Sequence, residues 1–386
     1  MKKKILFVCY GLGIGGIEKC LVNLINAMPE WFEIDLLLMN PQYTFRDQIR
    51  RPVRFLNIFD FVMNIEDTPA EIRACRHPRR KLGMLWSYGL FRLRIKLHRN
   101  PWVGFKPLPE DYDIAVAYSH HDFSPYYVID KVRAKKKVLW YHNGAYEETG
   151  KRYDRDQKYY PSFDHVVAVS SDCARMLEGV FRFREGQLLT LKNICDADHV
   201  RTQSEGDVPS SFEKEGCHIV TVGRMTREKG ADLALEACRV LREQGRNIYW
   251  HWVGDGNQMA AIRDKIAAYG LEGRFLPEGN QDNPYPFIRR ADLYVQPSYY
   301  EAYSTTITEA KVLRKPIITT DVGGMRDQLI DGFNGRIVPV DAQAIAAAVR
   351  ELMDSPEMAN RFVGALENEN YSPDAAMVVY LRSVFS

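Results

Sequence analysis

Two glutamates in the second half of the chain have the residue type and the spacing of ligand-binding groups. Glu301 follows the apolar run 291–297, which predicts a buried strand, and Glu309 lies eight positions further on, inside a predicted helix. An ionised carboxylate accepts hydrogen bonds and donates none, so each glutamate suits a partner rich in hydroxyls. Because one precedes the helix and the other lies more than one turn inside it, we expect the two carboxylates on opposite sides of the helix start.

The start of this helix is itself predicted to bind an anion. Ser304 or Thr305 is the predicted N-cap of a helix that continues to residue 313. The first N–H groups of a helix have no partner inside the helix, and together they carry about half a positive charge. The backbone N–H groups of Tyr303, Ser304 and Thr305 are therefore expected to face a phosphate.

Two cations upstream strengthen this prediction. Arg224 and Lys229 lie in the glycine-flanked segment 222–230, a predicted turn between a strand and a helix. Each charge-assisted hydrogen bond from such a side chain contributes about 1.5–3 kcal/mol. Two cations, a helix N-terminus and two carboxylates suit a ligand with a diphosphate at its middle and hydroxyl-rich sugars at both ends. The residues alone thus predict a nucleotide-sugar site.

Further segments extend the pattern over nearly the whole chain. In chain order the segments are residues 15–18, 168–175, 222–230, 252–256, 290–298, 301–309 and 315–324. Their order and spacing resemble the motifs of retaining GT-B glycosyltransferases of family four, the glycosyl transferases group 1. The resemblance implies an α/β protein with the GT-B fold, that is, two facing Rossmann-like doubly wound domains with an interdomain cleft.

The resemblance also implies roles for individual residues. The implied catalytic residues are Arg224, Lys229, Glu301 and His142. The implied donor-binding residues are Gly15, Gly16, Gly254, Tyr303, Ser304, Thr305 and Glu309. Within these sets the two cations stabilise the leaving diphosphate, Glu301 binds hydroxyls of the donor sugar, and Glu309 binds the nucleotide ribose. No metal or other cofactor is implied, because the cations meet the diphosphate charge.

The choice of His142 depends on its place at the end of a strand. It follows the predicted strand 138–141, and the family carries a histidine at the equivalent point, close to the transferred sugar. His120 and His121, after the predicted strand 114–118, are the alternatives, as residues on the acceptor side.

Two other motifs are typical of different chemistry. Residues 11–16 match the dinucleotide pattern G-x-G-x-x-G, but that site also needs an acid at the end of the second strand, and Asp35 lies near that strand's start. We assign this glycine loop to the donor's phosphate instead. Asp196 and Asp198 match the D-x-D pattern of metal-dependent transferases. No other acid is placed to complete a magnesium shell, so we assign both to the hinge.

Apolar strand-like runs alternate with amphipathic helical stretches, the pattern of parallel α/β layers. The predicted strands are residues 4–10, 34–39, 114–118, 138–141, 165–170 and 188–192, then 217–222, 249–253, 274–276, 293–296, 317–320 and 335–338. The polar segment 196–215 between the two groups is the predicted linker. We predict an acceptor-binding domain over 1–198 with a crossover helix at 372–386, and a donor-binding domain over 199–371.

Length and composition agree with this organisation. A chain of 386 residues suggests two domains, each able to bury its own core. A net charge of +2 gives no reason to expect nucleic acid as a partner. The seven cysteines form no C-x-x-C pair and indicate a reduced, cytoplasmic protein rather than a disulfide or zinc framework. No signal peptide is recognised, and no apolar run approaches the roughly 20 residues that span a bilayer.

One segment predicts a membrane-facing surface. Residues 72–109 contain ten Lys or Arg residues, no Asp or Glu, and five interleaved aromatic residues. Within this segment, residues 87–97 predict a basic amphipathic helix, a pattern that suits the surface of an anionic membrane. The cytoplasmic protein is then expected to associate with the inner face of the cell membrane. The alternatives are a solvated basic face and a site for single-stranded nucleic acid, which the nucleotide-sugar site disfavours.

Together these observations predict a retaining hexosyltransferase. It moves a sugar from a UDP- or GDP-sugar to a glycan or lipid-linked acceptor in bacterial cell-surface polysaccharide or glycolipid synthesis. A front-face route is favoured because no residue is placed as a nucleophile on the second face. The alternatives are a phosphorylase or epimerase of the same architecture, a nicotinamide oxidoreductase, and a non-catalytic protein that binds sugar nucleotides.

Overall fold

The chain folds into two parallel β-sheets, each covered by helices on both faces. A computed structural model describes residues 2–13, 15–40, 43–57, 72–73, 75, 77–96, 102, 105–120, 122–367 and 369–385. Strands covered on both faces bury nearly all their side chains, which explains the continuous apolar runs in the sequence. The GT-B architecture predicted from the sequence, two facing doubly wound domains, is confirmed.

Seven parallel strands form the first sheet in the described residues. The strands are β1 (Lys3–Cys9), β2 (Phe32–Leu38), β3 (Val53–Asn57), β4 (Asp111–Ala117), β5 (Arg133–Tyr141), β6 (His165–Ala168) and β7 (Leu188–Thr190). Their order across the sheet is β3-β2-β1-β4-β5-β6-β7. The sequence did not predict β3, because Arg54 interrupts its short apolar run. The structure explains this arginine: it forms an ion pair with Asp35 of β2 at 2.5 Å.

Six parallel strands form the second sheet over the corresponding part of the described chain. The strands are β8 (Cys217–Val222), β9 (Ile248–Val253), β10 (Phe275–Gly279), β11 (Leu293–Gln296), β12 (Ile317–Thr320) and β13 (Arg336–Val338). Their order is β10-β9-β8-β11-β12-β13. This is the same strand order as that of β1 to β6 in the first sheet. The sequence predicted all six strands, with boundaries that differ by at most three residues.

The helices alternate with these strands. They are α1 (Gly16–Ala27), α2 (Pro78–Lys96), α3 (Ser124–Lys131), α4 (Gly150–Tyr159), α5 (Ser171–Val180), α6 (Ala197–Gln203), α7 (Ala231–Glu243), α8 (Met259–Ala268), α9 (Tyr285–Arg290), α10 (Thr305–Val312), α11 (Ala342–Asp354), α12 (Pro356–Glu367) and α13 (Pro373–Ser383). Short 3-10 helices occur at Arg46–Gln48, Tyr160–Ser162, Ser210–Glu213, Arg227–Lys229 and Gly323–Met325. Among the described helices, none has both the length and the apolar character that crossing a membrane requires.

The segment predicted as a linker contains α6. Asp196 is the N-cap of this helix, and its carboxylate accepts a hydrogen bond from the backbone N–H of His199 at 3.0 Å. Ala197 and Val200 are buried in an apolar cluster with residues of the second sheet. The chain between the two sheets is therefore anchored on the second domain by one short helix.

The end of the chain packs on the first sheet. Ser372 caps α13, and Tyr380 and Phe385 are buried in the same cluster as β1 and β5. The ring of Tyr380 stacks on that of Trp140 with the centroids 5.4 Å apart, and its hydroxyl donates to the carbonyl of Lys192. Residues at the two ends of the chain thus share one core.

The topology brings the predicted site residues to facing sheet edges. In each sheet the strand order reverses beside the first strand, between β1 and β4 and between β8 and β11. Loops that leave the carboxyl ends of such strands turn to opposite faces and leave a crevice between them. Gly15 and Gly16 follow β1, Arg224 and Lys229 follow β8, and Glu301 follows β11.

Candidate functional site

A cleft of about 550 Å³ lies between the carboxyl ends of the two sheets. Its lining includes every donor-binding residue predicted from the sequence and three of the four predicted catalytic residues. These lining residues are Gly15, Gly16, Arg224, Lys229, Gly254, Glu301, Tyr303, Ser304, Thr305 and Glu309. Of the predicted set, His142 is not among the described residues that line this cleft.

Lys229 and Glu301 contact each other directly. The Lys229 ammonium lies 2.6 Å from Oε1 of Glu301, and the Glu301 side chain is only 7% exposed. The same oxygen accepts a hydrogen bond from the Ser298 hydroxyl at 2.9 Å and from the Gln296 amide at 3.3 Å. Three donors therefore hold the carboxylate in one orientation at the edge of the cleft.

Gln296 links this carboxylate to the start of α10. Its amide oxygen accepts hydrogen bonds from the hydroxyls of Thr306 at 3.0 Å and Tyr294 at 2.8 Å. Its amide nitrogen donates to Ser298 and Glu301. All of these groups are buried or half-buried, so the network fixes the loop between β11 and α10.

Ser304 is the N-cap of α10, as the sequence predicted. Its hydroxyl accepts a hydrogen bond from the Ile307 N–H at 3.4 Å. The expectation that the Ser304 N–H faces a phosphate is wrong in this structure, because that N–H donates to the Gln328 side chain at 2.8 Å. Gln328 in turn donates to the Ser304 carbonyl at 2.7 Å and therefore clamps the cap.

The glycine loop of the first domain reaches the start of α10. A Cβ placed on Gly16 would lie 3.7 Å from the Thr305 hydroxyl oxygen. The loop after β1 and the first residue of α10 therefore face each other across the cleft, although nearly 290 residues separate them in the chain. This juxtaposition agrees with the assignment of the loop to the donor's phosphate.

Glu309 is held by a lysine from the other domain. The Lys19 ammonium of α1 lies 2.6 Å from Oε1 of Glu309, whose side chain is 3% exposed. The Tyr285 hydroxyl lies 3.5 Å from the same oxygen, and its ring centroid lies 4.5 Å from the ammonium. Burial by itself lowers the pKa of Lys19, but the charge of Glu309 outweighs it and raises the pKa above its ordinary value.

The second oxygen of Glu309 is left for another group. Among the described residues, none donates a hydrogen bond to Oε2, and that atom is buried. A buried acceptor without a donor costs about 1–3 kcal/mol, so such an atom at the wall of a cleft indicates a ligand that supplies the donor.

Arg224 is the most accessible of the predicted charges. Its side chain is 67% exposed, and Glu228 is 3.7 Å away. Across the cleft, the carboxylate of Glu18 lies over Gly15, where an added Cβ would be 2.2 Å from it. Burial raises the pKa of Glu18, and the positive charge of Arg224 partly opposes this. Arg224 and the glycine loop both line the cleft, from opposite domains.

Two glycines allow other loops to pack against the backbone of Glu301. Gly323 has φ +33°, and a Cβ there would lie 1.8 Å from the Glu301 carbonyl oxygen. A Cβ on Gly144 of the first domain would lie 2.7 Å from the same oxygen. The position of Glu301 is thus set by close contact with both domains.

His142 lies two positions before Gly144, beside this contact, and is not among the described residues that line the cleft. Its backbone N–H donates to Nδ1 of His120 at 3.4 Å, and its ring centroid is 4.7 Å from that of Tyr118. Nearby, burial raises the pKa of Asp122 to about 6, although Ser124 donates to it. The alternative His121 lies outside the described residues.

The acids considered for a dinucleotide site and for a metal site, Asp35 and Asp196, bind other side chains and backbone groups. Asp35 pairs with Arg54 and accepts a hydrogen bond from the Tyr112 hydroxyl at 2.8 Å. Asp196 caps α6 and forms an ion pair with Arg50. No group of three or more His, Cys, Asp or Glu side chains is arranged to hold a metal ion in the portion of the chain that the structure covers.

Several residues of the cleft were missed from the sequence. They are Lys19, Phe45, Gln48, His199, Asn283 and Tyr285. Lys19 had a signal, because it follows Gly16 by three positions and so lies on the same face of α1. The others had none, since they lie in or just before the short elements Arg46–Gln48, α6 (Ala197–Gln203) and α9 (Tyr285–Arg290), whose approach to the cleft depends on the tertiary fold.

Comparison with known proteins gives the same picture. Residues 14–199 match the family model of glycosyltransferase family 4, and residues 205–368 match that of the glycosyl transferases group 1. The chain is 32% identical to the alpha-D-kanosaminyltransferase of Streptomyces kanamyceticus over 40% of each chain. It is 28% identical to the lipopolysaccharide core biosynthesis glycosyltransferase LpsE of Rhizobium meliloti (strain 1021), over 54% of this chain and 59% of that one. The match thus spans less than two thirds of either curated relative.

A solved structure is similar over the full length. The crystal structure of Anabaena HepE in complex with UDP-glucose superposes with a TM-score of 0.71 at 17% identity, over 99% of this chain and 100% of that one. At this identity the similarity shows the fold alone, two facing domains of the GT-B type.

The structure of the Asp196 cap leads to a prediction that separates a hinge role from a metal role. Asp196→Ala should lower the free energy of unfolding by about 1 kcal/mol through the lost cap, whereas Asp196→Asn, which can still cap, should be nearly neutral. Urea unfolding measures both, with and without EDTA. A loss of stability or activity on addition of EDTA would assign Asp196 to a metal instead.

Proposed function

The chain belongs to the glycosyl transferases group 1 family, and on that basis we propose that it is a retaining glycosyltransferase that moves a sugar from a UDP- or GDP-sugar to a glycan or lipid-linked acceptor. One observation carries the proposal. The cleft combines two cations, a capped helix start and two buried carboxylates, of which Glu309 keeps one oxygen without a donor in the described residues. A neutral ligand would leave the two cations without a partner, and a ligand with phosphate alone would leave the two carboxylates without hydroxyl donors.

The donor is positioned along the start of α10. The ribose donates to Glu309, the diphosphate lies near Thr305 and the loop of Gly15 and Gly16, and the transferred sugar donates to Glu301. A diphosphate between the two carboxylates requires positive charge, which Arg224 and Lys229 supply. No step of this scheme needs a metal ion.

The chemistry is loss of the diphosphate from the anomeric carbon and attack by an acceptor hydroxyl on the same face. Negative charge grows on the leaving diphosphate, and preorganised donors stabilise charge that develops in the transition state. Lys229 is fixed in place by Glu301 at 2.6 Å, while the exposed Arg224 is free to approach the phosphate. The leaving phosphate takes the proton of the acceptor hydroxyl. Because the new bond forms on the face that the diphosphate leaves, the anomeric configuration is retained.

The acceptor enters from the first domain. His142 follows β5, and Gly144 of the same loop touches the backbone of Glu301, which binds the transferred sugar. His142 is thus assigned a catalytic position close to that sugar. The name of LpsE, a relative that acts in lipopolysaccharide core biosynthesis, favours a cell-surface glycan or glycolipid as the product.

The first experiment is a thermal-shift screen against UDP, GDP, ADP, CMP and NAD. A ligand at about 100 times its Kd stabilises the native state by about 2.7 kcal/mol, so the preferred nucleotide should stand out. We expect a clear shift with UDP or GDP that Glu309→Gln reduces. A shift with NAD alone would contradict the proposal and favour an oxidoreductase.

Lys229→Ala should lower kcat by about 10²–10³-fold, the usual cost of removing one donor to developing negative charge. Its melting temperature should change little, because Ser298 and Gln296 still donate to Glu301. Arg227→Ala is the matched control, since Arg227 is an exposed cation in the same 3-10 helix and does not line the cleft. Normal turnover in Lys229→Ala would remove Lys229 from the mechanism, and proton NMR of an inverted product would refute retention.

Membrane association belongs to the same proposal, because a lipid-linked acceptor lies in a bilayer. On α2, the large apolar side chains of one stripe are exposed: Leu82, Leu85, Trp86, Leu90 and Leu93. They recur every three to four residues, which places them on one helix face. Arg79 and Arg80 at the start of the helix are exposed as well. Apolar side chains beside cations suit an anionic bilayer, where each cation adds about 1 kcal/mol.

Sedimentation with vesicles tests this surface. The protein should bind phosphatidylglycerol vesicles, bind phosphatidylcholine vesicles weakly, and be released by salt, since screening weakens the attraction. Leu82→Glu with Trp86→Glu should reduce binding about tenfold. Phe333→Glu, which changes an exposed aromatic residue of the second domain, is the control and should bind normally. Equal binding by the α2 variant would exclude this surface.

A further inference from the structure

Lys19 joins the two domains inside the donor cleft. It lies on α1 of the first domain, and its ammonium reaches 2.6 Å from Oε1 of Glu309 on α10 of the second domain. The lysine side chain is 20% exposed and the glutamate 3%. An ion pair this well covered is only weakly screened by salt, in contrast to an exposed surface pair.

Two side chains of the second domain, Glu309 and Tyr285, contact this ammonium. The Tyr285 ring centroid lies 4.5 Å from the nitrogen, and the Tyr285 hydroxyl lies 3.5 Å from Oε1 of Glu309. A carboxylate and an aromatic face together hold a cation more firmly than either alone. Lys19 is therefore a group of one domain that is recognised by the other.

The ion pair occupies only one of the two carboxylate oxygens of Glu309. Oε1 accepts from Lys19, whereas Oε2 is buried and receives no hydrogen bond from the described residues. A neutral hydroxyl pair can donate to Oε2 without displacing the ammonium. Lys19 therefore does not compete with a ribose for Glu309; it balances the glutamate's charge and fixes the direction of the free oxygen.

The position of Lys19 in α1 links the orientation of Glu309 to the part of the cleft proposed for the phosphates. Gly16 at the start of the same helix faces Thr305, the first residue of α10. Lys19 lies three positions later, so one turn of α1 contacts both the start of α10 and Glu309 inside it. Movement of α1 away from α10 would break both contacts together.

We propose that Lys19 is a positioning residue: it orients Glu309 for the nucleotide ribose and makes ribose recognition depend on the approach of the two domains. This inference rests on the proposed function, because it takes the ligand to be a nucleoside diphosphate whose ribose binds Glu309. The binding energy of the ribose is then available only in the closed arrangement, in which Lys19 and Glu309 are paired.

Calorimetric titration of the full chain with the nucleoside diphosphate of the largest thermal shift, and with its 2′-deoxy and 3′-deoxy analogues, tests the proposal. Lys19→Met should raise the Kd about tenfold and should reduce the preference for the ribose form over the deoxy forms. Lys19→Arg, which keeps the charge, should recover most of both. In steady-state assays, Lys19→Met should raise the donor KM more than it lowers kcat.

A double-mutant cycle with Glu309→Gln tests whether Lys19 affects binding through Glu309 or through a general disturbance of the cleft. If Lys19 acts through Glu309, adding Lys19→Met to Glu309→Gln should change the Kd little further. Arg50→Met is the matched control, because Arg50 also reaches from the first domain to a carboxylate, Asp196, but outside the cleft. Lys19→Gln, a neutral hydrogen-bonding variant, replaces Lys19→Met if the latter does not fold.

The outcomes are distinct. If the wild-type chain binds no nucleoside diphosphate, or binds ribose and deoxy forms equally, the proposed ribose site fails. If the wild type prefers the ribose form and Lys19→Met keeps both the affinity and the preference, only the role of Lys19 is refuted. Tighter binding by Lys19→Met would also refute it, and would mean that the lysine obstructs the ligand.

Discussion

The cleft depends on the pairing of two buried carboxylates with two lysines. Glu301 and Glu309 flank the start of α10, and each contacts one lysine at 2.6 Å. A carboxylate is costly to bury unless hydrogen bonds and positive charge compensate it, so both lysines lie close to the helix. Lys229 belongs to the same domain as α10, whereas Lys19 comes from the other domain. Charge balance in the site therefore requires the two domains to be in contact.

The backbone around this helix is arranged to permit that contact. Gly323 and Gly144, one from each domain, allow their loops to touch the carbonyl of Glu301. Gln328 binds both the N–H and the carbonyl of Ser304 and so fixes the cap of α10. The helix start is thereby held rigid before a ligand binds, which reduces the ordering cost of binding.

The sequence predicted the cleft residues well because they follow strands. Parallel strands end at a common edge, so polar residues placed directly after them must come together once the sheet forms. Thus Arg224, Lys229 and Glu301, all of which follow strands of the second sheet, were identified without any structure. The helix start at Ser304 was predicted for a similar reason, because a cap is a local feature of a few residues. The strand β3 was missed, since Arg54 has meaning only beside Asp35.

Composition, strand periodicity and the local motifs thus determined the two-domain α/β fold and the types of residue that line the cleft, because each motif depends on residues close together in the chain. The tertiary structure alone decided which charges pair. The contact of Lys229 with Glu301, the bond that occupies the Ser304 N–H, and the pairing of Lys19 with Glu309 all join residues far apart in sequence. Their physical cause is the burial of charged and polar groups, which must find partners in whichever element lies next to them.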